Sequence, residues 1–467
     1  MYEARRLHPV AGIVKLVKLL RNLIATFLIL FVGMPVEYKI YSYIGMAVII
    51  FVILLYSFIY WIHYTYRVEE DEFRLDYGWI FKKKRYIPLE RIQTVHVSAG
   101  LIQQLFGLVK LQIETAGGGE QAEIELSAIK KEDAVELQEW LRMNKHQEVV
   151  EKERDQTIYR MTTKQLLMTA ATSSGFGVIL SILAFLSQFD ELLTNEFFSS
   201  IETRVKEILE GGIVTILLTV TFLLVVAWGI SVLGVLLKYA HFRVVLKEDE
   251  LTISKGVIEK RTFTVPLERI QAVRIVENPV RQAFGFATVY IETASTGNGE
   301  GDEGGILFPL ISKKELIKKL EEYLLIRVPE TLNPLPKRAL PRFSIVNVML
   351  TLIVAVPLSM IFAPWGLLAL LLVPVSLFIS YYQYRDGGWL IDGNRLTLSF
   401  RHISKVVVLM EKRRIQSLDV QSTYFQRRKN LLTISSSIMN GFSGRLYSVR
   451  HLEEKDGMEI YDWYSRS

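Results

Sequence analysis

The sequence contains one dense run of cationic side chains, Lys82-Lys83-Lys84-Arg85. Each lysine beside an anionic lipid surface contributes about 1 kcal/mol of attraction, so this run could grip a lipid head group. A shorter pair, Lys260-Arg261, occupies the corresponding place 178 residues later. The same charges could instead only fix the orientation of the chain in a membrane. Both interpretations stay open from the sequence.

A second polar pattern recurs with the block Pro-Leu-Glu-Arg-Ile-Gln, which occupies residues 88–93 and 266–271. A weaker third copy at 414–416 keeps only Arg-Ile-Gln. Such side chains either satisfy loop carbonyls at the start of a strand or make one repeated contact with a partner or a neighbouring domain. The recurrent polar positions are Arg91 and Gln93, Arg269 and Gln271, and Arg414 and Gln416.

No pattern of residues indicates catalysis or metal binding. The chain has no cysteine, which excludes disulfides, thiolate metal sites and cysteine nucleophiles. Its seven histidines are scattered, and neither a Gly-x-Ser-x-Gly sequence nor a P-loop is present. The glycine-rich stretch 297–301 lies between strand patterns and carries acidic residues, so it predicts a hairpin loop. We therefore expect no enzyme activity, no metal and no cofactor.

The elements that must hold these residues include membrane segments. Half of the 467 residues are hydrophobic and 22% are charged, which predicts apolar spans that alternate with water-soluble domains. Six apolar stretches, in three pairs, are long enough to cross a bilayer. They are Leu16–Val36 with Ile40–Ile62, Leu166–Leu186 with Ile213–Leu237, and Ser344–Phe362 with Trp365–Tyr382. The cores of the last five hold no charged residue, which argues against an ion-coupled pump.

Charge asymmetry predicts the orientation of the chain. Basic residues flank every pair of spans, whereas the connection Ser187–Gly212 holds six acidic residues against only Arg204 and Lys206. By the positive-inside rule, both termini and the domains that follow the pairs are cytoplasmic, and 187–212 is an external acidic loop. The net charge of +6 suits a membrane face and does not suggest nucleic acid as a partner.

Each pair of spans is followed by short strands and then a helix. Period-two alternation with turn glycines predicts antiparallel strands, as in Phe73–Tyr77. Helical spacing then predicts buried faces made of Ala134, Leu137, Trp140 and Leu141, and of Leu316, Ile317, Leu320 and Leu324.

We therefore predict an α+β membrane protein in which three transmembrane hairpins are each followed by a small sheet domain with a C-terminal helix. The hairpins are predicted at 1–65, 160–240 and 340–383. The domains are predicted at 66–145 (module 1), 241–328 (module 2) and 384–467 (module 3, divergent).

These features together resemble a known family. A small sheet with a closing helix follows a membrane hairpin, and the repeated block precedes Gln282-Ala283-Phe284-Gly285. This is similar to the bacterial pleckstrin-homology-like (PH-like) domain, and six spans with three such domains resemble YdbT-type membrane proteins. The resemblance implies a PH-like barrel or sandwich whose C-terminal helix plugs one end.

The resemblance also implies a non-enzymatic protein of the bacterial cell membrane. Its modules would act as a scaffold that binds lipids or proteins, in envelope integrity or in tolerance of membrane-active antimicrobial peptides. The implied partners are membrane lipids and a companion membrane protein with a single PH-like domain. The alternative is a component of a lipid or peptide transporter or exporter, in which the spans form a pathway.

Overall fold

The computed structural model describes residues 4–32, 39–69, 72–79, 81–115, 124–143, 157–173, 203–204, 207–208, 211–293, 305–361, 365–439 and 444–465. The chain divides into two compact units. Unit 1 comprises Met1–Thr115, Ala122–Val245 and Thr252–Thr264, and unit 2 comprises Ala116–Gln121, Leu246–Leu251 and Val265–Ser467. Module 2 therefore contributes strands to both units.

The strands are numbered in chain order. They are β1 (Arg5–Arg6), β2 (Thr65–Glu69), β3 (Glu72–Tyr77), β4 (Lys83–Pro88), β5 (Ile92–Ala99), β6 (Leu108–Thr115), β7 (Ile124–Lys130), β8 (Thr157–Arg160), β9 (Arg243–Lys247), β10 (Glu250–Lys255), β11 (Lys260–Pro266), β12 (Ile270–Glu277), β13 (Phe286–Thr293), β14 (Ile306–Ser312), β15 (Asn333–Pro334), β16 (Gly388–Asp392), β17 (Arg395–Arg401), β18 (Lys405–Glu411), β19 (Ile415–Gln421), β20 (Leu431–Ile438) and β21 (Arg445–Glu453).

The helices are numbered in the same way. They are α1 (Val10–Val32), α2 (Lys39–Ile62), α3 (Leu101–Leu105), α4 (Lys131–Met143), α5 (Thr163–Ala171), α6 (Gly212–Tyr239), α7 (Pro279–Ala283), α8 (Lys313–Leu324), α9 (Leu340–Ile361), α10 (Leu372–Asp386), α11 (Tyr424–Arg427) and α12 (Glu454–Ser465). Short 3-10 helices span Leu89–Arg91, Leu267–Arg269, Lys337–Ala339, Trp365–Leu371 and Lys412–Arg414.

The three modules repeat one arrangement, which confirms the predicted set of three sheet domains. Each has a first layer of three antiparallel strands, then a second layer of three, then a helix. In module 1 these are β2–β4, β5–β7 and α4. In module 2 they are β9–β11, β12–β14 and α8, and in module 3 they are β16–β18, β19–β21 and α12.

Alternating side chains build the core of module 1. Phe73, Leu111, Ile113 and Leu126 are fully buried, since every second residue of a strand faces the same side. Ala134 and Leu137 of α4 are also buried and close one end of this core, as predicted.

The buried face of α8 differs from the prediction at one position. Leu316 and Leu320 are buried, but Ile317 is exposed and Tyr323 is buried in its place. The Tyr323 ring meets the edge of Phe308 with 5.6 Å between ring centroids. The larger ring fills the space under the helix, so the stripe runs through positions 316, 320 and 323 instead.

A short strand precedes each predicted membrane hairpin and returns the chain to its own module. β1 pairs with β2, β8 is the neighbour of β9, and β15 pairs with β16. The segments that enter and leave each predicted hairpin therefore lie side by side in one sheet.

Four described helices are long and apolar enough to cross a membrane, namely Ile40–Ile62, Val214–Tyr239, Lys337–Ile361 and Gly366–Asp386. The prediction of six spans is not supported. Helix α1 carries Lys15, Lys18 and Arg21 in its first half. At roughly 1.5 Å per residue, the described part of α1 that follows Arg21 and ends at Val32 is about half as long as a bilayer's hydrocarbon core is thick. Leu166–Leu186 and the acidic loop 187–212 lie mostly outside the described residues.

Two seven-stranded sheets each join strands from two modules. In unit 1, β5 of module 1 pairs with β11 of module 2, with Ala99 opposite Lys260. In unit 2, β12 of module 2 pairs with β18 of module 3, with Glu277 opposite Lys405. Ala99 and Glu277 occupy the same position in the repeat, and so do Lys260 and Lys405. The strand after the repeated block thus pairs, in one register, with the strand before the block of the next module.

A buried cluster of charges reinforces the second junction. Glu292 on β13 accepts hydrogen bonds from Arg274 Nε on β12 at 2.7 Å and from Arg445 Nη1 on β21 at 3.2 Å. The guanidinium of Arg274 lies 4.1 Å from the centroid of the Tyr290 ring. Glu292 is 1% exposed, so its charge is held by the two arginines rather than by water.

We expect Glu292→Gln to destabilise this junction by on the order of 3 kcal/mol, because it leaves the buried Arg274 without a counter-charge. The readout is hydrogen exchange of the β12, β13 and β21 amides in the solubilised protein. The matched control is Glu259→Gln, since Glu259 pairs with Arg261 at 2.9 Å near the surface and should cost under about 1 kcal/mol. Equal exchange in the two variants would contradict a structural role for the cluster.

Candidate functional site

The turn between the second and third strands of each module, here called the tip, lies at the end of the apolar helix that precedes the module (α2, α6 or α10). In module 2, Gly256 N–H donates to Ala240 O at 2.8 Å, and Val257 N–H donates to Leu237 O at 3.1 Å. The tip therefore caps carbonyl groups at the C-terminal end of α6, which would otherwise lack partners.

The tip of module 3 is fastened to α10 by side chains. Arg401 Nε donates to Asp386 Oδ2 at 2.5 Å, and Gln383 Nε2 donates to His402 O at 3.3 Å. In module 1 the ring of Tyr77, which precedes the tip, stacks on Tyr64 just after α2 at 5.9 Å. In all three modules the tip thus lies at the end of the preceding helix, although the contacts that hold it there differ.

Glycine is required where the first two tips begin. Gly78 and Gly256 have φ angles of +98° and +97°. A Cβ atom would lie 2.2 Å from Phe81 O in the first turn and 2.1 Å from Glu259 O in the second. No side chain fits that space, so these glycines fix the tight tip.

A short helix follows the strand after the repeated block, and in modules 1 and 3 it also lies beside a helix of the preceding predicted hairpin. In module 3, Arg342 at the start of α9 donates to Phe425 O of α11 at 3.0 Å, and its guanidinium lies 5.7 Å from that ring's centroid. In module 1, Ile102 of α3 packs against the cluster that also receives Val14 of α1.

The tips and the short helices expose large apolar side chains although the modules around them are well packed. Phe81 is 80% exposed and Leu105 is 81% exposed. Exposed apolar groups beside the ends of membrane helices are typical of side chains that enter the lipid interface. The set comprises Trp79, Phe81, Leu101, Leu105 and Phe106 in module 1, Val257, Ile258, Val280 and Phe284 in module 2, and Ile403, Tyr424 and Phe425 in module 3.

The predicted basic run borders the tip of module 1. Lys82, Lys83, Lys84 and Arg85 are all exposed. However, successive residues of β4 point to opposite faces, so Lys84 cannot share one pocket with Lys83 and Arg85. In module 2 the counterpart is weaker, because Arg261 is paired with Glu259 and only Lys260 is exposed.

The basic residues predicted from the sequence, at 82–85 and 260–261, did not include a third basic group in module 3. Arg427, Arg428 and Lys429 are exposed directly after the exposed rings of Tyr424 and Phe425. The available signal was the run of three cationic residues that closely follows two aromatic residues. Its value depended on knowing that α11 lies next to α9, which spacing alone does not reveal.

The repeated block is a turn between the two layers. Pro88 and Pro266 are extended, with φ near −61° and −64°, and the next three residues form a 3-10 turn that leads into β5 and β12. Glu411 takes the proline position in module 3 with φ of −81°. The block therefore serves geometry, and proline is suited to it but not essential.

The polar positions of the block have different contacts. Gln271 Nε2 donates to Arg269 O at 3.0 Å, a carbonyl of its own turn. Arg414 donates to Glu268 O, which belongs to the neighbouring module. Arg91 and Gln416 are exposed, and the side chain of Gln93 lies outside the described residues.

A glutamine in the short-helix segment, not predicted to have a role, strengthens the junctions between modules. Gln104 Nε2 donates to Val257 O at 3.0 Å and to Ile258 O at 2.8 Å, in the tip of module 2. The corresponding Gln282 accepts a hydrogen bond from Arg401 Nη2 of module 3 at 2.5 Å. Side chains that follow the block therefore reach the tip or the strand beside it in the next module.

The described residues contain no group of three or more His, Asp or Glu side chains that could hold a metal ion. A cleft beside β2 and α4, lined by Arg5, Tyr66, Leu137 and Trp140, has a volume of about 10 Å³. Such a space holds about one water molecule. The exposed surface at the tips and short helices is the stronger candidate for function.

A family model described as Bacterial PH domain matches residues 18–145, 199–327 and 340–467. The chain belongs to the bacterial PH domain family. It is also 40% identical to UPF0699 transmembrane protein YdbT of Bacillus subtilis (strain 168), over 100% of this chain and 99% of that protein. The resemblance to the bacterial PH-like domain and to YdbT-type proteins is thereby confirmed.

Membrane contact of the tips predicts a depth difference along β17. Because the chain has no cysteine, a fluorophore can be attached through Ile403→Cys at the tip or through the control Asn394→Cys at the other end of the strand. Both positions are exposed. We expect a lipid-soluble nitroxide to quench the first fluorophore and not the second. Equal quenching would contradict a tip that enters the lipid interface.

A half-buried histidine holds α11 in place. Gln426 Oε1 accepts a hydrogen bond from Thr423 N–H, so its Nε2 faces Thr433 Oγ1 at 2.9 Å and His451 Nδ1 at 3.1 Å. The histidine Nδ1 is therefore an acceptor and carries no proton. Burial, followed by the nearby charges of Arg450 and Arg342, lowers the pKa of His451 to about 4.

We expect acid to loosen α11. The pKa of His451 is about 4 when folded and near 6.5 when unfolded, so between these values only the unfolded state is protonated. Its stabilising effect is complete above about pH 6.5 and falls by on the order of 2 kcal/mol as the pH drops to 4. Hydrogen exchange of β21 against pH measures this, and His451→Asn should flatten the curve. An unchanged slope in His451→Asn would contradict it.

Proposed function

We propose that the protein is a non-enzymatic membrane scaffold whose three PH-like modules bind lipids and proteins at the cytoplasmic face of a bacterial cell membrane. The observation that carries the proposal is the repeated placement of exposed apolar side chains at the ends of apolar helices. Each module meets this condition through its tip, and modules 1 and 3 also meet it through the short helix.

Anionic lipid is the ligand chemistry that suits this surface. In module 1, Lys82–Arg85 are exposed beside Trp79 and Phe81, and in module 3, Arg427–Lys429 are exposed beside Tyr424 and Phe425. Aromatic rings that settle at the head-group level would hold the cations close to phosphate oxygens, where each contributes about 1 kcal/mol. Because the cationic side chains of β4 point to both faces of the strand, they favour a general attraction to an anionic lipid surface over a pocket for one head group.

The proposal includes a multi-pass arrangement with both termini and all modules in the cytoplasm, which the flanking basic residues support. It also includes a role in envelope integrity, such as tolerance of membrane-active antimicrobial peptides. The exposed strand edges of the modules suit a protein partner that adds a strand to the sheet. A companion membrane protein with a single PH-like domain is one such partner.

A component of a lipid or peptide transporter or exporter is the second candidate, because the described apolar helices carry no charge in their cores that would hinder a lipid path. One observation counts against it. Asn347 of α9 donates to Ser380 Oγ and to Gln383 Oε1 of α10, both at 2.8 Å. These polar groups are satisfied between helices instead of lining a path.

We expect Lys82→Gln/Lys83→Gln/Lys84→Gln to lower the share of anionic lipid that co-purifies with the full-length protein by about a half, because three cations are removed from the interface. The measurement is mass spectrometry of lipids retained in native nanodiscs. The matched control, Lys314→Gln/Lys318→Gln/Lys455→Gln, removes equal charge from exposed positions of α8 and α12. The same loss in both variants would mean that net charge alone, and not the tip, attracts the lipid.

A further inference from the structure

Two strand edges lack the neighbour that their counterparts have. Among the strands that the structure describes, β4 of module 1 pairs only with β3, and β19 of module 3 pairs only with β20. β4 corresponds to β11 and β18, and β19 corresponds to β5 and β12. The counterparts are all paired across a junction between modules. An uncovered edge presents backbone N–H and C=O groups that can accept another strand.

We propose that β19 of one copy of this chain pairs antiparallel with β4 of a second copy, so that the protein assembles head to tail. The pairing would extend to two chains the rule that joins the modules within each sheet. The contact goes beyond the proposed scaffold function and does not depend on lipid binding.

The shared register of the two existing junctions fixes the register of the proposed one. The residue numbers of two facing residues add up to 359 throughout the first junction, as for Ala99 and Lys260. In the second junction they add up to 682, as for Glu277 and Lys405. The offsets of 178 and 145 residues between modules carry this register onto the two uncovered edges. A residue of β19 then lies opposite the residue of β4 for which the two residue numbers add up to 504. Gln421 is therefore opposite Lys83.

In this register Asp419 lies directly opposite Arg85. Both side chains are exposed in the single chain, and opposite charges on facing strands stabilise a sheet. At the same position of the first junction His96 stacks on Phe263 at 4.7 Å, and at the second Arg274 faces the buried Val408. A complementary pair is thus found at the position where the first junction has a ring stack across the two strands.

The second contact of each junction also has a counterpart. Gln104 donates to carbonyl groups in the tip of module 2, and the residue that corresponds to it in module 3 is Arg427. Arg427 is exposed and carries several donors, so it can reach the carbonyl of Trp79 in the tip of the next chain.

The chemistry of the two edges suits a second copy and a reversible contact. The central part of β18 is apolar and β18 lies inside a seven-stranded sheet, whereas β4 contributes Lys83, Lys84 and Arg85, and β19 contributes Gln416, Asp419 and Gln421. Charged edges resist unspecific pairing, and each chain offers one edge of each kind. Such a heterologous contact forms a ring or a row of chains in the membrane.

The test uses two differently tagged full-length chains expressed together, one with Lys83→Cys and the other with Gln421→Cys. Because the chain has no cysteine of its own, a disulfide can form only between copies. Mild oxidation of membranes should give a dimer that contains both tags, since opposite residues of antiparallel strands lie within disulfide reach. Gln416→Cys replaces Gln421→Cys in the control, because five residues along the strand move the thiol about 16 Å away.

Charge reversal separates this register from chance collision. Arg85→Asp in the first chain, or Asp419→Arg in the second, should slow the cross-link by about fivefold or more, and the two together should restore it. High ionic strength should also slow it, because the contact is exposed.

Absence of the mixed dimer, or equal cross-linking with Gln416→Cys, would overturn the proposal. So would a Gln421→Cys thiol that is protected from labelling without forming the dimer, because another protein would then cover β19. Lipid retention does not enter this readout, so failure here leaves the proposed lipid binding intact.

Discussion

The backbone groups along a strand edge must find partners, and this constraint organises both units of the protein. The edge of β5 is covered by β11, and the edge of β12 is covered by β18. Each junction is therefore a continuous ladder of main-chain hydrogen bonds, and side-chain contacts only refine it. Because one register serves both junctions, the repeated sequence block acts as a spacer that sets where the next strand begins.

The same constraint explains how the membrane hairpins are attached. β1, β8 and β15 each precede a hairpin and pair with the first strand of the module that follows it. The chain thus returns to the place it left, and the tip of the module meets the end of the helix that has just ended. Exposed rings such as Phe81 and Phe425 are apolar side chains that this geometry leaves outside the core. An interface with lipid would shelter them.

Much of this could be predicted from residues alone. Alternation along Phe73–Tyr77 correctly predicted β3, because one face of the strand must be buried. The two copies of Pro-Leu-Glu-Arg-Ile-Gln gave the repeat, and its divergent third copy was found through Arg414-Ile415-Gln416. The stripe on α8 was right except at Ile317, since helical spacing does not reveal that the ring of Tyr323 fills the gap against Phe308. The six predicted spans are not supported as a set: four described helices are long and apolar enough to cross a membrane. Helix α1 carries Lys15, Lys18 and Arg21 in its first half, and most of Leu166–Leu186 lies outside the described residues.

The sequence by itself determined the family, the three modules and the apolar helices, because burial and bilayer thickness impose periods and lengths that a single chain must display. Only the tertiary structure decided which strand edges meet, since a ladder between β12 and β18 depends on backbone groups that every residue carries. It also decided that the lysines of β4 diverge to two faces and that α11 lies beside α9. Those outcomes follow from the register and packing of distant segments, which leave no local mark in the sequence.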